Sequence, residues 1–167
     1  MARRVFYSFH YQPDCHRAAI VRNMGVVEGN RPATDNDWEA VKRGGNQAIQ
    51  HWIDTQLNGK SCTAILIGEN TAGRKWINYE IEASWNNCKG LFGVYIHTLK
   101  DLGGNQVPKG KNPFEEFVMG CDKNKRLSSL VKAYDPPYSA SSDSYAYIKD
   151  NFTRWIEDAI SIRENWG

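Results

Sequence analysis

The sequence predicts an α/β fold, an open parallel sheet of about five strands covered by helices on both faces. Two observations carry that reading. Short runs rich in aromatic and β-branched residues alternate along the chain with stretches whose apolar residues recur at helical spacing. No internal repeat or low-complexity segment interrupts this alternation, and 167 residues are enough for one domain, 1–167, with a substantial core.

Val5-Phe6-Tyr7-Ser8-Phe9 is the first predicted strand. A helix is expected from Asp14 to Met24, with Ala18, Ala19 and Val21 as its apolar positions. Gly25-Val26-Val27 reads as a short second strand, and a polar loop with Gly29 and Pro32 runs from Glu28 to Asp37. Asp37 is placed to cap the next helix, whose apolar residues are Trp38, Val41, Ala48, Ile49, Trp52, Ile53 and Leu57; Gly44-Gly45 marks a break within it. Cys62–Ile67 is the next strand, and Lys75–Trp85 the next helix. Leu91–His97 is a further strand. From Thr98 to Arg126 the composition shifts to Gly, Asn, Lys and Pro, with Pro113–Val118 the only part able to pack; connections of that length are usually functional or mobile. Leu130–Tyr134 is the last strand, ended by Pro136-Pro137. Asp143 opens a terminal helix bearing Tyr147, Ile148, Phe152, Trp155, Ile156, Ala159 and Ile162.

Composition excludes several classes of function. A net charge of +2 with no long basic cluster argues against nucleic acid as the partner. The four cysteines and four histidines are scattered without metal-ligand spacing, so no metal is expected, and two of the cysteines sit in apolar patterns as buried thiols do. No signal peptide is visible, and the apolar runs fall far short of the ~20 residues of a membrane span, so a soluble, cytoplasmic protein is expected.

The segment from Lys75 to Trp85 carries the chemistry. At about 100° per residue, Ile77, Ile81, Ser84 and Cys88 share one stripe, Trp85 lies beside it, and Glu80 sits on its flank one turn from Trp76. Glu82 points to solvent. A carboxylate half-buried beside an aromatic ring suits the stabilisation of developing positive charge; a surface-edge glutamate on an amphipathic helix is the other reading of the same spacing. If the strand order is flavodoxin-like, 2-1-3-4-5, ligands bind where the order reverses, outside the carboxyl ends of the first and third strands. Ser8, Phe9 and His10 leave one of those strands. Gly68, Glu69, Asn70 and the helix bearing Trp76 and Glu80 follow the other. Phe9 and Trp76 could stack on a ring of a ligand or simply pack in the core, and Ser8 and His10 could bond its polar groups, a structural or solvent-facing role being the other reading of His10. Arg22 is read as an exposed ion-pairing residue rather than a phosphate ligand. Lys109–Lys111 is read as a solvated loop.

The Val5–Phe9 strand, the strand at 62–67 and the helix Trp76-Ile77-Asn78-Tyr79-Glu80-Ile81 together resemble a TIR domain. More narrowly, the chain resembles the TIR-like subunit of the bacterial Thoeris anti-phage system. The Ser8-Phe9-His10-Tyr11 opening, Trp52-Ile53-Asp54 and the Gly93–His97 strand are in keeping with that branch, and the similarity runs from Arg4 to about Lys100. The resemblance implies a flavodoxin-like, three-layer fold. It also implies that Glu80, the glutamate of the family's Trp-x-x-x-Glu pattern, is catalytic, and that a loop at roughly Asn30 to Asp37 shapes the nucleotide pocket.

What the resemblance implies in chemistry is cleavage of the nicotinamide–ribose bond of NAD, with NAD as substrate and no separate cofactor. Attack by water gives ADP-ribose. Attack by an atom of the same molecule gives a cyclic ADP-ribose isomer, the product expected in this branch, which would reach a separate effector by diffusion. Assembly into homo-oligomers is a further implication. Two other functions stay open on the sequence: a non-catalytic TIR adaptor, and another N-glycosidic-bond enzyme such as a nucleoside deoxyribosyltransferase. Phosphorelay and flavin chemistry are disfavoured, because Ser8-Phe9-His10 offers neither paired acids nor a Ser/Thr-rich phosphate loop.

Overall fold

The computed structural model describes residues 3–24, 41–118 and 125–166. Strands β1 (Val5–Phe9), β2 (Cys62–Ile67), β3 (Gly90–Tyr95) and β4 (Ala133–Tyr134) form a parallel sheet in that order. Val5 pairs with Cys62, and Cys62 with Gly90, so the first three strands start level. The helices are α1 (Tyr11–Arg22), α2 (Gly45–Leu57), α3 (Lys75–Asn86) and α4 (Ser141–Trp166).

Side chains alternate across the sheet with period two, and each face buries its own set. Val5, Cys62, Ala64, Leu66, Phe92 and Val94 pack with residues of α1 and α4, including Ala18, Val21, Phe152 and Trp155. On the other face, Ile65, Ile67, Leu91 and Tyr95 pack with Ile77 and Ile81 of α3, while Phe6 meets Ile49, Ile53 and Leu57 of α2. β2 and β3 are buried at every position, as central strands of a sheet covered on both faces are. The predicted three-layer α/β architecture is therefore the observed one, with four strands among the described residues. The Gly25–Val27 strand, the 28–37 loop, Asp37 and Trp38 lie outside them.

Several elements differ in extent from expectation. α1 begins at Tyr11, three residues before Asp14, because His10 turns the chain directly off β1. Asp14 is thus buried in the first turn instead of opening the helix. The predicted break at Gly44-Gly45 is real: Gly45 has φ +83°, a left-handed conformation that costs a glycine little, and α2 starts there. α3 ends at Asn86 and Cys88 follows with φ 60°, so the chain leaves the helical path and Cys88 is exposed, not part of the buried stripe. The last strand shrinks to two residues, because Leu127–Ser129 forms a 3₁₀ turn that buries Leu127 and Val131 before pairing begins. On α4 the buried positions include Ile160 and Arg163, while Ile162 is half-buried.

The connection after β3 is tied across the carboxyl ends of the strands. Arg17 of α1, 1 % exposed, donates to the Leu99 carbonyl at 2.7 Å and the Asn105 carbonyl at 2.8 Å. It also pairs with Asp14 at 3.2 Å and approaches Asp101 at 3.7 Å. Further along, Gly110 lies on the turn after β2, where a Cβ would stand 2.2 Å from the Gly68 carbonyl oxygen; only glycine fits. Phe114 is fully buried beside Ile67 and Tyr95, as the packing segment of that connection should be. Lys109 is held as well, 2.9 Å from Asp135 and 4.6 Å from the centre of the Tyr95 ring, so it is not simply a solvated loop residue.

Candidate active site

A cavity of about 680 Å³ runs along β1, from Val5 and Lys60 near its amino end to His10 past its carboxyl end, between α1, α2 and α3. Glu80 reaches it from α3. Helical spacing places Glu80 between Ile77, Ile81 and Ser84, all buried, and Ser84 bonds both the Glu80 carbonyl (2.6 Å) and Thr63 of β2 (2.8 Å). These bonds seat α3 on the sheet. They also draw Glu80 inward, to 8 % exposure, rather than leaving it on the flank.

The carboxyl of Glu80 accepts a hydrogen bond from the Ser8 hydroxyl, and no cation pairs with it among the described residues. Burial disfavours its charged form and pushes its pKa up to about 8, against which the Ser8 bond pulls only partly. Near neutral pH burial therefore favours the protonated carboxyl, and a positive charge brought close would favour its ionisation.

Ser8 is itself 2 % exposed and does not line the cavity. Its side chain points to the α3 face of β1, so it holds Glu80 and is not presented to a ligand. Phe9, on the alternate face, does line the cavity, stacked on Tyr11 with ring centres 5.9 Å apart. His10 lines it too. Its Nδ1 is buried without a partner among the described residues, and burial together with the nearby Arg74 pushes its pKa down, which favours the neutral imidazole. Trp76 lines the opposite wall, edge-on to Tyr79 at 5.8 Å and packed against the α2 cluster. Tyr79 in turn donates to Asp54 at 2.8 Å, joining α3 to α2. The structure thus brings Phe9, His10, Trp76 and Glu80 to one cavity and sets Ser8 behind Glu80.

Sequence reasoning missed the sign of the walls. Arg22, Lys42, Lys60, Arg74 and Lys75 line the cavity, and Glu80 is the only acid among its described lining residues. These residues are scattered along the chain, and only folding gathers them, so no local motif could have announced the patch. Arg22 in particular is half-buried and makes no ion pair among the described residues, unlike the exposed pairing expected of it. Asp14 and Arg17, which tie the connection after β3 to α1, were also not singled out. A buried charged pair within an otherwise helical stretch leaves little mark on periodicity.

No helix of the described residues is long and apolar enough to cross a membrane. Among the same residues no group of three or more His, Cys, Asp and Glu is placed to hold a metal.

A parallel sheet in this order, helices on both faces and a glutamate one turn beyond a tryptophan at the mouth of the crevice define a TIR-like domain. The chain belongs to the family described as Thoeris protein ThsB, TIR-like domain, whose model matches residues 6–101. It is also 39 % identical over 120 residues to a Bacillus cereus (strain MSX-D12) protein named "Putative cyclic ADP-D-ribose synthase ThsB1". The aligned region is 69 % of this chain and 62 % of that relative, so the chain spans less than two thirds of the relative's own length.

Proposed function

We propose that this protein cleaves the nicotinamide–ribose bond of NAD and closes the remaining ADP-ribose into a cyclic isomer, acting in anti-phage defence. The observation that carries the reading is the Glu80 carboxyl, buried with no counter-ion among the described residues at the wall of a cavity whose other charged lining residues are all basic. Family membership and the name of the Bacillus cereus relative support it.

The chemistry follows from that arrangement. Nicotinamide leaves as a neutral base, so its departure needs no general acid. The barrier lies in the positive charge that builds on the ribose, and a carboxylate beside C1′ lowers it. The substrate's own nicotinamidium charge favours ionisation of Glu80 as it binds, so the carboxylate forms where and when it is needed. Trp76 and Phe9 exclude water, which favours attack from within the same molecule over hydrolysis. NAD is consumed as substrate and no further cofactor is required. The cyclic product leaves to act on a separate effector, the protein works in the cytoplasm, and it assembles into homo-oligomers when active.

Two other readings are weaker on specific grounds. An adaptor has no use for a buried, unpaired carboxyl, which lowers stability at neutral pH. A nucleoside deoxyribosyltransferase acts on uncharged nucleosides, whereas this cavity carries five basic side chains suited to an anionic dinucleotide. Wild type and Glu80→Gln, expressed in cells challenged with phage, test the proposal by mass spectrometry of small-molecule extracts. A species at the mass of ADP-ribose less water, present only with the wild type, is the expected result. Free ADP-ribose and nicotinamide alone would make the protein a hydrolase. Cleavage of deoxynucleosides but not NAD by the purified protein would move it to the transferase class.

Ser8 supplies a second test. Because its hydrogen bond lowers the pKa of Glu80, Ser8→Ala should raise that pKa. The ionised form is the active one, so kcat/KM rises with pH through about 8 in the wild type and through a higher pH in Ser8→Ala. For a one-unit shift the loss at pH 7 is about tenfold and disappears at alkaline pH. Ser8→Thr, which keeps the hydroxyl, should restore the profile. An unchanged profile in Ser8→Ala would show that the hydroxyl does not tune Glu80.

A further inference from the structure

Arg22 lies in the last turn of α1, where a cation is favoured by the carbonyl ends of the helix. An exposed side chain would serve that purpose. Arg22 is instead drawn inward over the Phe9 ring, its guanidinium carbon 5.4 Å from the ring centre, and lines the same cavity as Glu80. Its Nε is buried and has no hydrogen-bond partner among the described residues. No carboxylate there pairs with it, and burial pushes its pKa down, although a guanidinium stays charged throughout the working range. A buried donor of this strength left without an acceptor costs stability, unless a ligand supplies the acceptor.

We propose that Arg22, held over the Phe9 ring, is the anchor for the diphosphate of the substrate. The proposal rests on the reading of the protein as an NAD-cleaving enzyme and assigns that substrate's orientation. Planar guanidinium groups bind phosphate oxygens through paired N–H donors, and stacking on an aromatic ring fixes the plane in advance. Phe9 then serves as the bed for Arg22 and not as a platform for a substrate ring, which leaves Trp76 for that role. The diphosphate sits toward the end of α1 and the scissile ribose toward Glu80 on α3. The other basic residues of the wall add positive potential without a comparably fixed geometry; Lys75, for example, is exposed, with its ammonium 4.9 Å from the Trp76 ring centre.

Arg22 acts on binding in this scheme and Glu80 on the chemical step, so the two separate experimentally. Inorganic pyrophosphate is titrated calorimetrically into the full-length protein in four forms: wild type, Glu80→Gln, Arg22→Gln and Arg22→Lys. Binding should weaken roughly 10- to 100-fold in Arg22→Gln and less in Arg22→Lys, with Glu80→Gln binding as the wild type does. In turnover, Arg22→Gln should raise KM for NAD by a similar factor with little change in kcat. Cleavage of nicotinamide riboside, which lacks the diphosphate, should be the same in wild type and Arg22→Gln. Thermal melts of both variants verify that the fold is kept. Equal pyrophosphate affinity in folded wild type and Arg22→Gln overturns the proposal, and leaves the NAD reading intact if NAD is still cleaved. Arg22-dependent pyrophosphate binding in a protein that never cleaves NAD sinks the NAD reading instead, and leaves Arg22 as an anion site. A fall in kcat equal for NAD and the riboside would place Arg22 in the chemical step and also overturn the assignment.

Discussion

Replacing Glu80 with glutamine is expected to abolish NAD cleavage, by about 10³-fold or more, while making the folded protein more stable at pH 8. The two effects have one cause. The carboxylate proposed to stabilise charge on the ribose is the same group whose charged form burial disfavours, with a pKa near 8 against an ordinary 4.5. The sign of the stability effect follows from proton counts. Between those two values the folded protein keeps a proton that the unfolded chain has lost, so stability falls as pH rises from about 4.5 to about 8. The penalty is absent below that window and complete above it, at an order of a few kcal/mol. Glutamine keeps the shape and can still accept the Ser8 hydrogen bond, but it has no charge to lose. Melting curves of the two proteins should therefore nearly coincide at pH 4.5 and separate progressively toward pH 8, with the variant melting higher. Coincident curves across the whole range would show that Glu80 ionises freely in the folded protein. The activity loss would then need an explanation other than a charge poised by burial.

Arg17→Met is expected to be the most destabilising single change among the polar residues, at roughly 3–5 kcal/mol. Arg17 and Asp14 are 1 % and 2 % exposed, and removing the guanidinium strands the Asp14 carboxylate in the interior. One Asp14 oxygen is already buried without a partner among the described residues, so none of them offers a spare bond to absorb the loss. Burial raises the Asp14 pKa and Arg17 opposes that rise; without Arg17 the aspartate can remain only by taking up a proton. The carbonyls of Leu99 and Asn105 lose their donor as well, which releases the connection after β3. A protein of this size should lose about 10 °C in Tm. Limited proteolysis should cut between residues 98 and 110 in the variant before it cuts the wild type. Asp14→Asn combined with Arg17→Met should recover part of the stability, since it removes the stranded charge, but should not restore protection of the connection. A Tm within one or two degrees of wild type for Arg17→Met would show that the pair is not structurally important.

Much of the fold was legible in the chain because strands and helices leave different periods. Val5–Phe9 and Cys62–Ile67 were delimited correctly from composition and pattern, and the Gly44-Gly45 break was marked by residue type alone. The boundaries that moved did so for tertiary reasons. α1 starts early because the chain turns directly off β1, and the last strand is short because the 3₁₀ turn at Leu127–Ser129 takes up the residues before it, leaving Ala133 and Tyr134 to pair with Gly93 and Val94. Glu80 was found by a spacing argument and by the switch-point argument together. Its burial was not found, because helical position fixes direction and not depth.

The sequence by itself determined the layered α/β architecture, the helix that carries Glu80 and Trp76, and the meeting of that helix with Phe9 and His10 at the strand ends. Period-two and period-3.6 patterns and the chirality of parallel crossovers are local or nearly local properties, so they survive in one dimension. Only the tertiary structure decided that Ser8 serves Glu80 rather than a ligand and that Arg22 turns inward onto Phe9. It alone also decided that five basic side chains line one cavity and that Arg17 fastens the long connection. Those facts depend on pairs far apart in the chain, such as Ser8 with Glu80 and Arg17 with Asn105. A pKa, moreover, is set by the surroundings that burial creates and not by the residue that carries it.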